Sequence, residues 1–271
     1  MKYVFISIVA IMAVIGISVL VTRLLTKGKA VSRFKKSLIT LLTSVFFVSA
    51  VSLGYLLPYQ KAEEVRGYLK SDEQITFVEE ETGDSSYYAF INNEGSNKVL
   101  VFYPGAKVDE YAYAELMRNI AESGTDVYVI KMPFHMAMLN GDGAKDIIDH
   151  NEYEKVYLAG HSLGGVAASG YVISNSEKVN GLILLASYST KKIPDNIELL
   201  SIYGDRDGCL EMNVYEKNRG NWPAASKEVV IKGGNHANYA SYGKQKGDNE
   251  ASITRDEQIS ITAEAIIEFM K

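Results

Sequence analysis

A serine lies at the centre of a glycine-rich segment, GHSLGG (160–165). The segment has the form G-x-S-x-G and lies between a strand-like run and a stretch, 163–174, that is predicted to be helical. A sharp strand-to-helix turn strains the backbone at the serine and leaves no space for nearby side chains, which suits Gly160 and Gly164. Ser162 would then project at a helix N-terminus, where free N–H groups favour an oxyanion. We therefore predict that Ser162 is a nucleophile; the simpler alternative is a serine that caps a glycine-rich helix.

A serine hydroxyl needs a base to remove its proton and an acid to orient that base. For this kind of turn the chain order is serine, acid, histidine. His236 follows a strand-like run and is the only histidine after the serine, which predicts that it is the base. Another strand-like run ends in YGDRDG (203–208), where Asp205 and Asp207 are both candidate acids. We favour Asp207 because it lies further into the turn, whereas Asp205 would cap the turn through its own backbone.

Acyl transfer also needs two backbone N–H groups that hold the developing oxyanion. One is expected from Leu163, the residue after the nucleophile, and the other from the loop 104–107 after the strand-like run VLVFY. Pro104 has no N–H group and Gly105 permits the turn. We therefore predict that Ala106 is the second donor.

Three further residues near these turns have two interpretations each. Tyr103 and Tyr239 are candidate substrate-lining residues, or they are ordinary strand and loop residues. Cys209, beside the acid-bearing turn, either contacts the site or is a small buried thiol.

The elements that must position these residues alternate between strands and helices. Strand-like runs cover 75–81, 87–92, 98–105, 126–134, 155–160, 179–187, 197–204 and 227–234, and predicted helices cover 111–124, 143–151, 163–174 and 254–270. The alternation predicts an α/β fold whose mostly parallel sheet carries helices on both faces, with active groups at the carboxyl ends of the strands. The turn signal TGDSS predicts that the first two runs form a hairpin. About ten residues, Tyr188–Ile197, precede the acid-bearing run, which is too few for a lid domain.

Four segments resemble the α/β-hydrolase superfamily and, within it, the small bacterial branch called α/β-hydrolase fold-5: FYPGAKVD (102–109), GHSLGG (160–165), YGDRDG (203–208) and GGNHANYASYGKQKGD (233–248). The resemblance covers roughly residues 75–270. It implies an α/β-hydrolase fold with Ser162 as nucleophile, Asp207 as acid and His236 as base. The branch often has a second glycine where this chain has Ala106, whose methyl group narrows the loop but leaves the backbone donor intact.

Composition and charge exclude several other classes of protein. The 271 residues include 28 Lys or Arg and 33 Asp or Glu, which gives a formal net charge of −5. Residues 1–60 hold seven basic and no acidic residues, so residues 61–271 carry 21 basic against 33 acidic residues, a net charge of −12. This acidic part offers no basic patch for nucleic acid. The single cysteine, Cys209, and four histidines without metal-ligand spacing predict neither a disulfide framework nor a metal site. The proposed chemistry needs no organic cofactor.

Two uncharged apolar runs lie at the start of the chain. Residues 3–22 form a run of 20 and residues 37–60 a run of 24. Each is long enough to cross the roughly 30 Å core of a bilayer as a helix. Neither run has the polar stripe of a surface helix, and both are too long and too uniformly apolar for core helices. We divide the chain into a transmembrane hairpin (1–60, with spans at about 3–22 and 37–58), a linker (61–74) and a hydrolase domain (75–271).

The connection between the two spans predicts their orientation. Residues 23–36 hold six of the seven basic residues of the first sixty, and short basic loops stay cytoplasmic. The hydrolase domain is therefore expected on the extracytoplasmic face of the cell membrane, although Lys2 weakly opposes this orientation. The alternative for residues 3–22 is a cleaved signal peptide. The run is longer than the usual apolar core of about 7–15 residues, and a basic stretch follows it instead of a small-residue cleavage site.

The sequence thus predicts a membrane-anchored serine hydrolase. It would cleave a carboxylic ester, thioester or similar acyl bond in a small-molecule or lipid-like substrate through an acyl-enzyme intermediate. One alternative is an acyltransferase with the same three residues, in which an acceptor alcohol replaces water. A second is a catalytically silent, membrane-anchored scaffold, against which the presence of all three residues argues.

Overall fold

The computed structural model describes the backbone of residues 2–81 and 86–271, and the side chains of residues 13–54, 57–81 and 86–271. Four of the five residues of the predicted TGDSS turn therefore lie outside the described residues, as do the side chains of the first half of the predicted span 3–22. The chain divides into two compact units, Met1–Pro58 and Tyr59–Lys271.

The first unit consists of two helices, α1 (Lys2–Leu25) and α2 (Arg33–Leu56). In the described part of α1, the buried polar side chains are Ser18 and Thr22. Because they are four residues apart, they lie on one face of the helix. On that face the hydroxyls of Thr22 and Thr40 are hydrogen-bonded across the two helices at 2.9 Å. Small hydroxyl-bearing residues of this kind are typical where apolar helices pack closely together.

Among the described residues, one helix is long and apolar enough to cross a membrane. It covers Arg33–Gly54, 22 residues with a mean hydropathy of 1.9 in the most apolar window, and no part of that window is buried. This segment contains most of the second predicted span. In α1 the described side chains leave only a shorter apolar helix, Ala13–Leu25, so the first predicted span stays a prediction.

A single eight-stranded sheet forms the centre of the second unit. Its strands are β1 (Ile75–Glu80), β2 (Tyr87–Asn92), β3 (Lys98–Tyr103), β4 (Asp126–Ile130), β5 (Lys155–His161), β6 (Gly181–Leu185), β7 (Glu198–Gly204) and β8 (Ser226–Ile231). They are arranged in the order β1-β2-β4-β3-β5-β6-β7-β8. Strand β2 pairs antiparallel with β1 and β4, as the predicted hairpin requires, and every other pairing is parallel. The mostly parallel sheet predicted from the alternating pattern is therefore confirmed.

Helices cover both faces of this sheet. Besides several short 3₁₀ turns they are α3 (Ala114–Ala121), α4 (Lys145–His150), α5 (Leu163–Ser174), α6 (Met212–Asn218) and α7 (Arg255–Phe269). Leu100 and Phe102 of β3 belong to the core layer that contains α3 and α7. Val99 and Val101 of the same strand belong to the layer that contains α4 and α5. Since successive strand residues point to opposite faces, the uninterrupted apolar run in β3 reflects burial on both sides.

Some elements differ from their predicted bounds for local reasons. The helix predicted over 111–124 begins as a 3₁₀ turn at Glu110, where the side chain of Asp109 accepts from Tyr111 N–H, and α3 itself starts only at Ala114. The strand predicted over 126–134 ends at Ile130, since the chain turns into a short 3₁₀ segment at Pro133.

Two connections affect access to the carboxyl edge of the sheet. Residues 186–197, between β6 and β7, form no helix or strand, so this connection carries no lid domain, as the sequence predicts. Helix α6, between β7 and β8, was not predicted, because its seven residues lack a clear helical pattern of apolar positions.

Candidate active site

Ser162 lies between the last residue of β5 and the first residue of α5, in a strained backbone conformation. Its φ is 53° and its ψ is −125°, a region that non-glycine residues rarely occupy and that costs about 1–3 kcal/mol. Two hydrogen bonds hold the turn: Ser162 N–H donates to the Leu185 carbonyl (2.9 Å), and the Ser187 hydroxyl donates to the Ser162 carbonyl (2.6 Å). The strain at a half-buried serine is what the G-x-S-x-G pattern predicts for a nucleophile turn.

Close backbone packing requires the two predicted glycines. A Cβ atom on Gly160 would lie 2.5 Å from the backbone of Gly164 and Gly165. A Cβ atom on Gly164 would overlap the carbonyl oxygens of Tyr103 and Pro104. Gly164 therefore allows the serine turn to lie directly against the end of β3, where the predicted oxyanion loop begins.

Replacing Gly164 by alanine will destabilise the fold by several kcal/mol, because the backbone of a central strand would have to move. Gly170 is a matched control in the same helix, since nothing lies within 4 Å of a Cβ built there. Gly170→Ala should be neutral or stabilise the protein by about 0.5–1 kcal/mol. Denaturant unfolding of both variants measures the difference, and equal stabilities would show that the close contact at Gly164 is unimportant.

Asp207 and His236 form a hydrogen-bonded pair at the ends of two neighbouring strands. His236 Nδ1 lies 2.8 Å from Asp207 Oδ2, and their side chains are 3% and 1% exposed. The other carboxylate oxygen, Oδ1, accepts from the N–H groups of Cys209 (2.8 Å) and Leu210 (2.7 Å). With Asp207 ionised, His236 donates through Nδ1 and its basic lone pair is on Nε2. The structure thus brings together the acid and the base favoured from the sequence.

Asp205 has a different role from the one predicted. Its Oδ1 accepts from Gly233 N–H at 2.7 Å, and its own N–H donates to the Ile231 carbonyl at 3.1 Å. Instead of capping its own turn, Asp205 ties that turn to the chain leading to His236. It is therefore not the hydrogen-bond partner of His236.

Asp248 supports both turns of the pair, a role that was not predicted. Its Oδ1 accepts from Gly208 N–H and its Oδ2 from Ala237 N–H, each at 2.9 Å. The carboxylate thereby bridges the residues that directly follow Asp207 and His236. The sequence signal was present in the Gly247-Asp248 pair of the fourth resembling segment, although it gave no indication of these contacts.

Ser162 and His236 line one cavity of about 180 Å³. The remaining lining residues are Leu163, Val166, Ala186, Ser187, Tyr188, Cys209, Leu210 and Glu211. Cys209 is therefore at the site, the alternative that was left open. Burial, and then the charges of Asp248 and Asp207, raise the pKa of its thiol to about 11. The thiol stays protonated at neutral pH and forms part of the cavity wall instead of serving as a nucleophile.

The structure does not bring Tyr103 and Tyr239 to the cavity that Ser162 and His236 line. Both side chains are completely buried, and neither lines the cavity. The Tyr103 hydroxyl donates to the Gly141 carbonyl (2.9 Å) and accepts from Ala144 N–H (3.1 Å). The Tyr239 hydroxyl donates to the Ile202 carbonyl in β7 at 3.4 Å. Because backbone groups satisfy these hydroxyls inside the core, both tyrosines stabilise the fold beneath the site.

The backbone of the loop after β3 leaves one N–H group for the predicted oxyanion site. Pro104 has none, Gly105 N–H donates to the Tyr113 hydroxyl (3.0 Å), and Lys107 N–H donates to the His135 carbonyl (2.6 Å). The N–H group of Ala106 lies between these two hydrogen-bonded amides and is the remaining backbone donor of the loop. Leu163, the other predicted donor, lines the cavity, whereas Ala106 is not among the lining residues.

A buried tyrosine–histidine pair lies beneath this loop and beside His236. The Tyr113 hydroxyl accepts from Gly105 N–H and is also hydrogen-bonded to His161 Nδ1, 2.8 Å away. Burial, and then the nearby charge of His236, hold the pKa of His161 well below its usual range, so this imidazole is neutral. Its ring centroid lies 4.6 Å from that of His236. His161 thus packs against the candidate base without adding a charge to the site.

Among the described residues, Asp207, Cys209 and His236 are one group whose donor atoms all lie within 4.8 Å of one another, close enough for a metal ion. The group does not fit that role. The Asp207 carboxylate is already hydrogen-bonded to two backbone N–H groups and to His236. These contacts describe an acid–base pair held by hydrogen bonds.

Comparison with known families and proteins agrees with this geometry. The model of a family described as the alpha/beta hydrolase family matches residues 99–260. A curated relative, the 2-hydroxy-6-oxononadienedioate/2-hydroxy-6-oxononatrienedioate hydrolase of Cupriavidus pinatubonensis (strain JMP 134 / LMG 1197), is 24% identical over 124 residues. That match covers 40% of this chain and 43% of the relative, so it spans less than half of either protein.

Solved structures share the fold over most of the second unit. The dienelactone hydrolase from Anabaena variabilis ATCC 29413 matches with a TM-score of 0.55 and 16% identity, over 73% of this chain and 100% of that one. A ferulic acid esterase from Streptomyces cinnamoneus matches with a TM-score of 0.55 and 13% identity, over 65% of this chain and 66% of that one. Because the family model covers more than half of the sequence and these neighbours share the fold, the chain belongs to the α/β-hydrolase family, in its fold-5 branch.

Proposed function

We propose that this protein is a serine hydrolase that cleaves a carboxylic ester, thioester or similar acyl bond. The observation that carries the proposal is that His236, hydrogen-bonded to Asp207, lines the same cavity as the strained Ser162. A serine, an oriented imidazole and a buried carboxylate are the groups that nucleophilic acyl transfer needs. Two solved neighbours are named as a dienelactone hydrolase and a ferulic acid esterase, names that are consistent with this class of reaction.

The proposed reaction has two acyl-transfer steps. His236 Nε2 removes the proton from Ser162 Oγ as the oxygen attacks the acyl carbon. The N–H groups of Leu163 and Ala106 stabilise the resulting oxyanion. As the tetrahedral intermediate collapses, the imidazolium returns its proton to the leaving alcohol or thiol, which leaves an acyl ester on Ser162. His236 then deprotonates a water molecule that attacks this ester, and the same sequence releases the carboxylic acid and restores the serine. Asp207 keeps the imidazole oriented and stabilises its charged form.

The size and lining of the cavity favour a short acyl group. At about 180 Å³ it is smaller than the roughly 300–1,000 Å³ of pockets that enclose drug-sized ligands. Leu163, Val166 and Leu210 supply apolar surface, and Glu211 adds an exposed carboxylate. Together with the net charge of −12 after residue 60, Glu211 disfavours anionic substrates at low ionic strength.

A panel of p-nitrophenyl esters, from acetate to laurate, tests this proposal on the full-length protein in detergent. We expect kcat/KM to be highest for acetate or butyrate and to fall at least tenfold for laurate, since the cavity cannot enclose a long chain. Adding an acceptor alcohol and analysing the products separates hydrolysis from acyl transfer: an ester of the acceptor as main product would indicate the acyltransferase. No turnover of any ester by folded protein would favour the silent scaffold and contradict the proposal.

We further propose that residues 1–60 anchor this hydrolase in the cell membrane as a helical hairpin, with the hydrolase domain outside the cytoplasm. The apolar helix Arg33–Gly54 and the packing of α1 against α2 support the hairpin. The six basic residues in 23–36 support the orientation. Protease added to intact spheroplasts should digest the hydrolase domain while a cytoplasmic marker stays protected. A shielded hydrolase domain would show that the hairpin is reversed.

A further inference from the structure

The segment 59–63, which contains the start of the predicted linker, is hydrogen-bonded to the loop after β3. Gln60 N–H donates to the Lys107 carbonyl (2.7 Å), and Asp109 N–H donates to the Gln60 carbonyl (2.8 Å). Gln60 thereby pairs with Val108 as a short parallel bridge. Ala62 N–H adds a hydrogen bond to Asp109 Oδ2 at 3.3 Å. The segment is thus part of the compact second unit, which begins at Tyr59, well before the predicted domain start at 75.

An aromatic contact holds the first residue of this segment. The ring of Tyr59 stacks on that of His135, with the centroids 3.9 Å apart and an interplanar angle of 27°. His135 is itself fixed, because its Nδ1 lies 2.9 Å from Oε2 of the buried Glu110. That hydrogen bond raises the pKa of His135 and favours its charged form. The carbonyl of His135 is also the acceptor for Lys107 N–H. Tyr59 therefore packs on a residue that directly supports the loop.

The far end of the segment reaches the chain that follows the candidate base. Glu63 N–H donates to the Ser241 carbonyl at 2.7 Å. Ser241 is buried, and its N–H donates to the Ala112 carbonyl at 2.8 Å. The segment 59–63 is therefore bonded both to the loop that carries Ala106 and to the chain five residues beyond His236.

The loop needs external support because its conformation is strained. Lys107 has a φ of 60°, unfavourable for a residue with a side chain. Both of its backbone groups are held, its N–H by His135 and its carbonyl by Gln60. These bonds hold the 106–107 and 107–108 peptide groups, which directly follow the 105–106 peptide group that carries the Ala106 N–H. We infer that the segment 59–63 is a positioning element of the active site, which aims the Ala106 N–H group at the oxyanion.

This inference rests on the proposed serine hydrolase function. Tyr59 and Gln60 are positioning residues, because neither lines the cavity and both act through Lys107 and His135. In the chain they follow the apolar helix α2 within a few residues. The residues a few positions after the proposed membrane-spanning helix α2 are therefore the residues that support the oxyanion loop.

Two variant pairs of the full-length protein in detergent test the inference. Gln60→Pro removes the N–H that donates to Lys107, whereas Gln60→Ala keeps both backbone bonds. Tyr59→Ala removes the ring that stacks on His135, whereas Tyr59→Phe keeps it. Titration with a fluorophosphonate counts competent serines in each sample, and ester turnover is expressed per labelled site. We expect kcat per labelled site to fall about 10- to 100-fold for Gln60→Pro and Tyr59→Ala, with little change in KM. Gln60→Ala and Tyr59→Phe should stay within about threefold of wild type.

A purely structural role gives a different result, since it lowers the number of labelled sites and leaves the turnover of each site unchanged. That outcome, or equal losses in the Gln60→Pro and Gln60→Ala variants, would overturn the inference and leave the proposed function intact. Absence of labelling in folded wild-type protein would contradict both the function and the positioning role. The pH dependence of kcat/KM should keep its wild-type midpoint in all four variants, because none of them touches the pair of Asp207 and His236.

Discussion

Ser162→Ala will abolish ester hydrolysis, with kcat reduced by about 10⁴-fold or more, because no other described residue of the cavity offers an activated nucleophile. The thiol of Cys209 cannot replace it, since burial raises its pKa to about 11. Initial rates on a short-chain ester, measured at equal concentrations of folded protein, give the result. Turnover within tenfold of wild type would rule out Ser162 as the nucleophile.

The same position offers a control that separates catalysis from stability. Ser162 has a φ of 53°, which strains alanine as much as serine but suits glycine. Ser162→Gly should therefore be as inactive as Ser162→Ala and more stable by about 1 kcal/mol. Equal stability of the two variants would show that the strain at the turn is not stored at this residue.

Asp207→Asn will lower kcat by about 10³- to 10⁴-fold while the protein stays folded. A carboxylate only accepts hydrogen bonds and so selects the tautomer of His236 with the proton on Nδ1, whereas an amide can also donate and does not select it. The neutral amide also no longer stabilises the imidazolium. Asp205→Asn should keep activity within about threefold, because its remaining carbonyl oxygen can still accept from Gly233 N–H. The two variants change the same charge two residues apart and are matched controls for each other. A larger loss of activity at 205 than at 207 would overturn the assignment of the acid.

Asp205 can still be shown to matter for the fold. Asp205→Ala removes the acceptor for Gly233 N–H and should lower the free energy of unfolding by about 1–3 kcal/mol. The loss of stability without a comparable loss of turnover per folded molecule would distinguish this residue from Asp207.

The turns that carry Ser162, Asp207 and His236 could be predicted because a short sequence pattern at the end of a strand marks each of them. Glycine beside the serine, and an acid or a histidine just past an apolar run, are visible in short stretches of sequence. Parallel strands place their carboxyl ends at one edge of the sheet, so local signals were sufficient to group these residues. The choice of Asp207 over Asp205 was made on position in the turn, and in the structure it is Asp207 that is hydrogen-bonded to His236.

Contacts between distant segments could not be predicted in this way. Asp248 lies 40 residues after Gly208, and nothing in its neighbourhood indicates that its carboxylate bridges two turns. Tyr103 and Tyr239 looked like pocket residues because they are close in sequence to the site. Their burial depends on backbone partners in other loops, such as the carbonyl of Gly141 for Tyr103.

The polar segment after residue 60 shows a similar gap between composition and structure. Its polar and charged residues indicated a linker, yet Ala62 and Glu63, like Gln60 just before it, use their backbone N–H groups to bind other parts of the hydrolase unit. Backbone hydrogen bonds of this kind cannot be recognised from the pattern of side chains in the sequence. The predicted linker is therefore in part a component of the domain, and any soluble version of the hydrolase should begin no later than Tyr59.

The most direct test of the central claim is covalent labelling of the full-length protein with a fluorophosphonate, followed by mass spectrometry of the modified peptide. The proposed mechanism predicts one adduct per molecule, located on Ser162, since His236 activates only this hydroxyl. Labelling should be lost in Ser162→Ala and strongly slowed in Asp207→Asn. Folded wild-type protein that takes up no label, or that carries the adduct on another residue, would contradict the account.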